Sequence, residues 1–272
     1  MKNQNQPSLR TPMLIVGSRL FYERAFPAGM KEHFDLHYFD HKGFYHNPGL
    51  LESAYQNLEE IVAEIEIFRQ NFGLEKFFLF GHSGHAYMTL EYAKSFPNQI
   101  LGLVLCGCSP DLSPKSHLAA ENYFTQLADE NRKQIFEQDM AGLFSKIQAE
   151  PDLRFTHFVL CQKAKNWFNP NYDAAWLWKD VPTHLPTLDY VWGKLFRDYE
   201  VCQNLEKITF PVLFLQGKYD FVAGPASSWE SIISKLPDVK ESIFELSGHY
   251  PMVDEPEAFL EVLCHWTNNL IN

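Results

Sequence analysis

The chain has 272 residues, 46% of them apolar, and a formal net charge of −11. That length could hold one large domain or two small ones, and the apolar share is ample for a core. The acidity argues against nucleic acid, which needs a basic face for its phosphates. No run approaches the roughly 20 apolar residues of a membrane helix.

The first residues, Met1–Pro7, are polar, and the apolar run Met13–Gly17 is too short for a signal peptide. Cytoplasmic residence is therefore the expectation. The five cysteines (106, 108, 161, 202 and 264) are odd in number and scattered, which reads as buried free thiols and not as a disulfide or zinc motif.

In chain order, Met13–Gly17 and Phe34–Asp40 read as strands. Residues 53 to 72 place Leu58, Ile61, Val62, Ile65 and Phe68 on one helical face. Strand Phe77–Phe80, helix Gly84–Phe96 and strand Ile100–Cys106 follow. From 111 to 206 the chain is helical and rich in aromatics, interrupted by Pro182 and Pro186. The alternation then resumes with strand Val212–Gln216, helix Ala226–Leu236, strand Glu241–Leu246 and helix Pro256–Asn268. Alternating strands and helices imply parallel crossovers and a sheet covered on both faces. The expected organisation is a core of residues 1–110 and 207–272, with residues 111–206 inserted as a helical cap. About six strands are expected, Phe34–Asp40 at the edge, where an exposed strand invites pairing into a homodimer.

The chemistry concentrates where strands end. In Phe80-Gly81-His82-Ser83-Gly84-His85 a buried strand runs into a tight turn and then a helix, the geometry of a nucleophile elbow with Ser83 at its apex. His249 lies in a loop after the last strand, behind Ser247-Gly248, and an imidazole there suits a general base. Asp220 follows strand Val212–Gln216 through Gly217 and is placed to orient His249. Asp111 and Asp198 are alternative orienting groups. An oxyanion hole needs two backbone N–H groups: Gly84 is expected to supply one, and the hydrolase pattern given below implies the second in the loop after the first buried strand, at Ser18.

The order Ser83, Asp220, His249 resembles the α/β-hydrolase family across nearly the whole chain. Gly81-x-Ser83 matches its elbow, Gly217-x-x-Asp220 its acid loop, and Gly248-His249-x-Pro251 approximates its histidine loop. Asp40-His41-Lys42-Gly43 is similar to its D-x-R-G segment. Within the family, Tyr190-Val191-Trp192-Gly193 through Asn204-Leu205-Glu206 into Pro211-Val212 resembles the proline-iminopeptidase branch. That branch carries H-G-G-P-G and G-G-S-W-G-x where this chain has Val16-Gly17-Ser18-Arg19-Leu20 and Gly81-His82-Ser83-Gly84-His85.

The resemblance implies a serine hydrolase acting on an ester or amide through an acyl-enzyme, without cofactor or metal. A proline-iminopeptidase-like aminopeptidase is the first expectation, a small-molecule carboxylesterase the alternative. A ligand receptor with little or no turnover on the same fold is the third. The substrate is expected to be a small molecule or short peptide with an apolar portion, and neither nucleic acid nor membrane is expected as a partner. His85, Trp167, Trp176 and Trp192 are candidates to line its pocket, and Glu137, Asp139 or Asp173 to bind a substrate amine. His85 also reads as a histidine packed beside the elbow. His33, His37 and His41 recur every four residues, but on a strand that spacing spans about 13 Å, too far for one ion. His82-x-x-His85 lacks the glutamate and spacing of H-E-x-x-H.

Overall fold

The computed structural model describes residues 10–46 and 49–271; Met1–Pro7 lies outside them. Six strands form one parallel sheet: β1 (Thr11–Gly17), β2 (Phe34–Asp40), β3 (Phe77–His82), β4 (Ile100–Cys106), β5 (Val212–Gly217) and β6 (Val239–Phe244). Their order across the sheet is β2-β1-β3-β4-β5-β6.

The central strands are apolar at nearly every position because both faces are covered. Alternate side chains feed two separate cores. Leu14, Val16, Phe77, Leu79, Leu103, Leu105 and Phe214 face one, against helices Leu58–Asn71 and His85–Ser95. Met13, Ile15, Phe78, Phe80, Val104, Leu213 and Leu215 face the other, with helices Arg19–Ala25 and Pro256–Ile271.

Edge strand β6 begins and ends two residues earlier than its sequence suggests. Its composition alternates and carries charges, so its limits come from the ladder with β5, in which Val212 faces Val239 and Gly217 faces Phe244. Leu246 falls in the turn beyond and is largely exposed. The expected helix Ala226–Leu236 is a 3₁₀ turn, Ala226–Trp229, followed by one short turn, Glu230–Ile233. The tight turn delivers the buried Trp229 indole N–H to the Cys108 carbonyl at 2.6 Å.

Among the described residues, the chain between β4 and β5 contains helices and no strand. Its main members are Pro114–Leu127, Glu130–Ala149, Arg154–Cys161 and the single turn Lys163–Asn166. Cys106, Cys108 and Cys161 are buried free thiols, whereas Cys202 is exposed and Cys264 partly so. No helix among the described residues is long and apolar enough to cross a membrane.

Because all six strands run the same way, the loops after β1, β3, β4, β5 and β6 open at one edge of the sheet. In an open α/β sheet that edge is where ligands bind.

Candidate active site

Ser83 has φ of +55°, a left-handed conformation that a side chain with a Cβ adopts at a cost. The turn is held by Ser83 N–H donating to the Cys106 carbonyl at 2.9 Å and Ala86 N–H donating to the Ser83 carbonyl at 3.0 Å. Strand and helix meet closely here. A Cβ at Gly81 would lie 2.8 Å from Ala86 Cα, so only glycine fits.

Asp220 is fully buried at the end of β5. Its Oδ2 accepts from His249 Nδ1 at 2.9 Å and from Gln216 Nε2 at 3.2 Å. Its Oδ1 accepts from the Val222 and Ala223 amides at 3.0 and 2.8 Å. A carboxylate fixed by four donors orients the imidazole with its proton on Nδ1, leaving Nε2 as the basic nitrogen. Asp111 instead accepts from Ser113 and Ser116, and Asp198 pairs with Arg197 on the surface.

The His249 backbone is gripped from both sides. Its N–H donates to the Asn166 carbonyl at 2.7 Å, and its carbonyl accepts from His82 Nε2 at 2.8 Å. The Asn166 side is itself clamped. Buried Arg132 donates to the carbonyls of Ala164 at 2.7 Å, Trp167 at 2.8 Å and Phe168. Asp254 Oδ2 accepts from Gly248 N–H at 2.8 Å and Phe168 N–H at 3.1 Å, tying the histidine loop to the same segment.

His82 belongs to a buried chain of hydrogen bonds whose direction its end groups dictate. Gly43 N–H donates to His41 Nδ1 at 3.0 Å, so His41 carries its proton on Nε2. That Nε2 donates to His85 Nε2 at 3.2 Å, which puts the His85 proton on Nδ1. His85 Nδ1 donates to Tyr22 Oη at 3.3 Å, and the tyrosine hydroxyl donates to His82 Nδ1 at 3.3 Å. His82 Nε2–H then reaches the His249 carbonyl. Each ring nitrogen in the series has one role, the tyrosine hydroxyl both accepts and donates, and all three rings are neutral. Burial pushes His41 down to about 3 and holds His82 and His85 well below the usual histidine range. The loop after β1 rests on the same rings. At Gly17, with φ of +146°, an added Cβ would collide with Tyr22 and sit 3.2 Å from His85.

These elements enclose a cavity of about 540 Å³. Ser83, His249, Ser18, Gly84, His85 and Trp192 all line it. Ser18 also caps helix Arg19–Ala25, its hydroxyl accepting from Phe21 N–H. Two expected tryptophans are elsewhere. Trp167 is buried behind the wall, stacked on Tyr250 at 4.5 Å, and Trp176 is 47% exposed, with its indole on Tyr172. Trp178, two residues further on, reaches the cavity instead, because one helical turn decides which ring faces inward.

The expected amine-binding acids do not reach the cavity either. Asp139 pairs with Lys163, Asp173 caps Ala175, and Glu137 is exposed. The one carboxylate among the described lining residues is Glu121, bonded to Lys165. Neither carries a sequence signal, since what unites them is the packing of two separate helices. His33 is on the surface and His37 pairs with Asp35, so the four-residue histidine spacing gathers no shared site.

A family model described as alpha/beta hydrolase fold matches residues 14–256. The chain is 35% identical to the AB hydrolase superfamily protein YclE of Bacillus subtilis over 255 residues, 94% of this chain and 91% of that one. It is 23% identical to the proline iminopeptidase of Clostridium botulinum over 228 residues, 78% of this chain and 73% of the relative. Among solved structures, the esterase EaEST from Exiguobacterium antarcticum superimposes with a TM-score of 0.68 at 17% identity, covering 95% of this chain and 92% of the esterase. VinJ superimposes with a TM-score of 0.70 at 17% identity, covering 97% and 92%.

Proposed function

The chain belongs to the α/β-hydrolase fold family, and on that premise we propose that it is a serine hydrolase cleaving a carboxylic ester. The observation that carries the reading is the buried Asp220–His249 bond at 2.9 Å, beside a cavity that Ser83 also lines.

In this reading His249 Nε2 takes the Ser83 proton as the hydroxyl oxygen attacks the carbonyl carbon. The resulting oxyanion is met by the backbone N–H groups of Gly84 and Ser18. His249 returns the proton to the leaving alcohol as the carbon–oxygen bond breaks. A water molecule, deprotonated by His249, then splits the acyl-enzyme and regenerates Ser83. The grip on His249 from Asn166 and His82 keeps the base from drifting between these steps. Residues 111–206 act as the cap, and Phe136, Phe155, Phe158, Trp178 and Trp192 give the apolar part of the substrate its walls.

Aminopeptidase activity is the second reading, favoured by the proline iminopeptidases among the relatives. A substrate α-ammonium calls for a carboxylate with no cation beside it, whereas Glu121 sits against the buried Lys165 ammonium, which would repel it. That contrast favours the ester.

Fluorophosphonate labelling tests the proposal. Wild-type protein is expected to be labelled and Ser83→Ala not, with aryl esters turned over. Absence of labelling in the wild type would remove the hydrolase reading in favour of a receptor. Turnover of prolyl or other aminoacyl anilides faster than esters would restore the peptidase.

A further inference from the structure

Lys165 is the one lysine among the described residues that line the cavity, and its side chain is 6% exposed. Its ammonium lies 4.3 Å from the ring centre of Phe136 and 4.9 Å from that of Phe124. Those rings stabilise the charge but offer no hydrogen-bond acceptor. Among the described residues the acceptor it has is Glu121 Oε1, at 2.5 Å.

The two partners are unequal. Glu121 is 60% exposed, and an ion pair with one member in water holds that member weakly. Lys165 cannot follow it outward. Phe221 N–H donates to the Lys165 carbonyl at 3.3 Å, the next carbonyl is bonded to His249 N–H, and Arg132 fixes the residues on either side. The lysine's main chain is therefore held and its ammonium lies buried between two rings, whereas the carboxylate is in water and displaceable. The buried charge is also screened less than the exposed one.

We infer that Lys165 anchors a carboxylate that the substrate carries away from its scissile bond, and that Glu121 is the internal stand-in which this carboxylate displaces. The inference rests on the hydrolase reading and names its substrate class: apolar esters bearing a remote carboxylate. Arrival of such a group lets Glu121 turn into water while the buried ammonium keeps a partner. A neutral substrate leaves the internal pair as it is and gains nothing from it. A substrate ammonium meets like charge.

The test compares mono-p-nitrophenyl esters of glutarate, adipate and suberate with neutral pentanoate, hexanoate and octanoate esters, and with an ω-aminohexanoate ester. At the best chain length kcat/KM should favour the carboxylate over its neutral match by about tenfold, as for a charge-assisted bond, with the ammonium ester slowest. Lys165→Met should bring that ratio to about one or below, and Glu121→Gln, which removes the competitor at an exposed position, should raise it about threefold or more. Equal or better use of the neutral esters by the wild type would overturn the inference, as would an unchanged ratio in either variant.

Binding to Ser83→Ala supplies a readout independent of turnover. Calorimetry should show monomethyl suberate binding more tightly than dimethyl suberate, and the difference should vanish when Lys165→Met is added. Equal binding of the two overturns the inference even if labelling of Ser83 upholds the hydrolase. Absent labelling with a persisting carboxylate preference would sink the hydrolase and keep Lys165 as an anion anchor.

Discussion

Replacing Tyr22 with phenylalanine removes a single oxygen from the middle of the buried chain that runs from Gly43 to His249. That oxygen accepts from His85 Nδ1–H and donates to His82 Nδ1, both at 3.3 Å. Phenylalanine fills the same space, so the loss is purely polar. Two buried ring nitrogens are left without partners, at about 1–3 kcal/mol each. Allowing for ring rotation, the expected destabilisation is about 3 kcal/mol at pH 8 by urea unfolding. The control is Tyr190→Phe, whose hydroxyl bonds the Gln56 carbonyl at an exposed site and should cost no more than about 0.5 kcal/mol. Activity supplies a second reading. His82, freed at Nδ1, holds the His249 carbonyl less firmly, so kcat on a neutral ester should fall with KM little changed. A Tyr22→Phe loss no larger than the control, with kcat intact, would refute the directed chain of hydrogen bonds.

His41 is held down to about 3 by burial, from 6.5 in the unfolded chain, so stability it confers is present above pH 6.5 and is lost as pH falls from there toward 3. His41→Asn keeps an acceptor for Gly43 N–H but does not titrate; the stability lost between pH 7.5 and 5 should shrink by about 2 kcal/mol, read from urea curves at both pH values. Asp254 shows the opposite sign: burial raises its carboxyl from 3.8 to about 6, so the ionised form carries a cost that is full above pH 6 and gone below 3.8. Asp254→Asn, whose amide oxygen can still accept from Gly248 and Phe168, should stabilise the protein on the order of 2 kcal/mol at pH 8 and not at pH 4, measured in the same way. Arg132→Leu leaves three carbonyls without their donor and should cost about 3 kcal/mol or more together with most of kcat; Arg132→Lys, lacking the forked guanidinium, should restore only part of either.

Much of the candidate site is legible in the sequence because its residues sit directly after apolar runs. Ser83 follows Phe77–Phe80, Asp220 follows Val212–Gln216, and His249 follows the last strand, each through a glycine or a small residue. Parallel strands open their following loops at one edge, so three separate strand ends imply one locality. What escaped was everything that depends on packing between elements distant in sequence. His41 and His85 are 44 residues apart, and Tyr22 and His82 are 60 apart. Lys165 and Glu121 belong to different helices of the segment between β4 and β5. The choice of Trp178 and Trp192 over Trp167 and Trp176 turns on helix orientation, which composition does not record. The limits of β6 are not legible in the sequence for a related reason, since an edge strand with charged residues is defined by its neighbour.

By itself, then, the sequence determined the order of strands and helices, the family to which the chain belongs, and the candidates for nucleophile, base and orienting acid. Local periodicity and the short-range chemistry of turns are written in consecutive residues. Tertiary structure alone decided how the two departures from the family pattern fit together. His85 stands where a small residue is usual, and the loop at Gly17-Ser18 lacks the usual glycines. In the fold that loop lies on the His85 and Tyr22 rings, inside one neutral hydrogen-bond chain that ends on the His249 carbonyl. A buried polar group must find a partner, and which partner it finds is fixed by the approach of elements that the sequence keeps far apart.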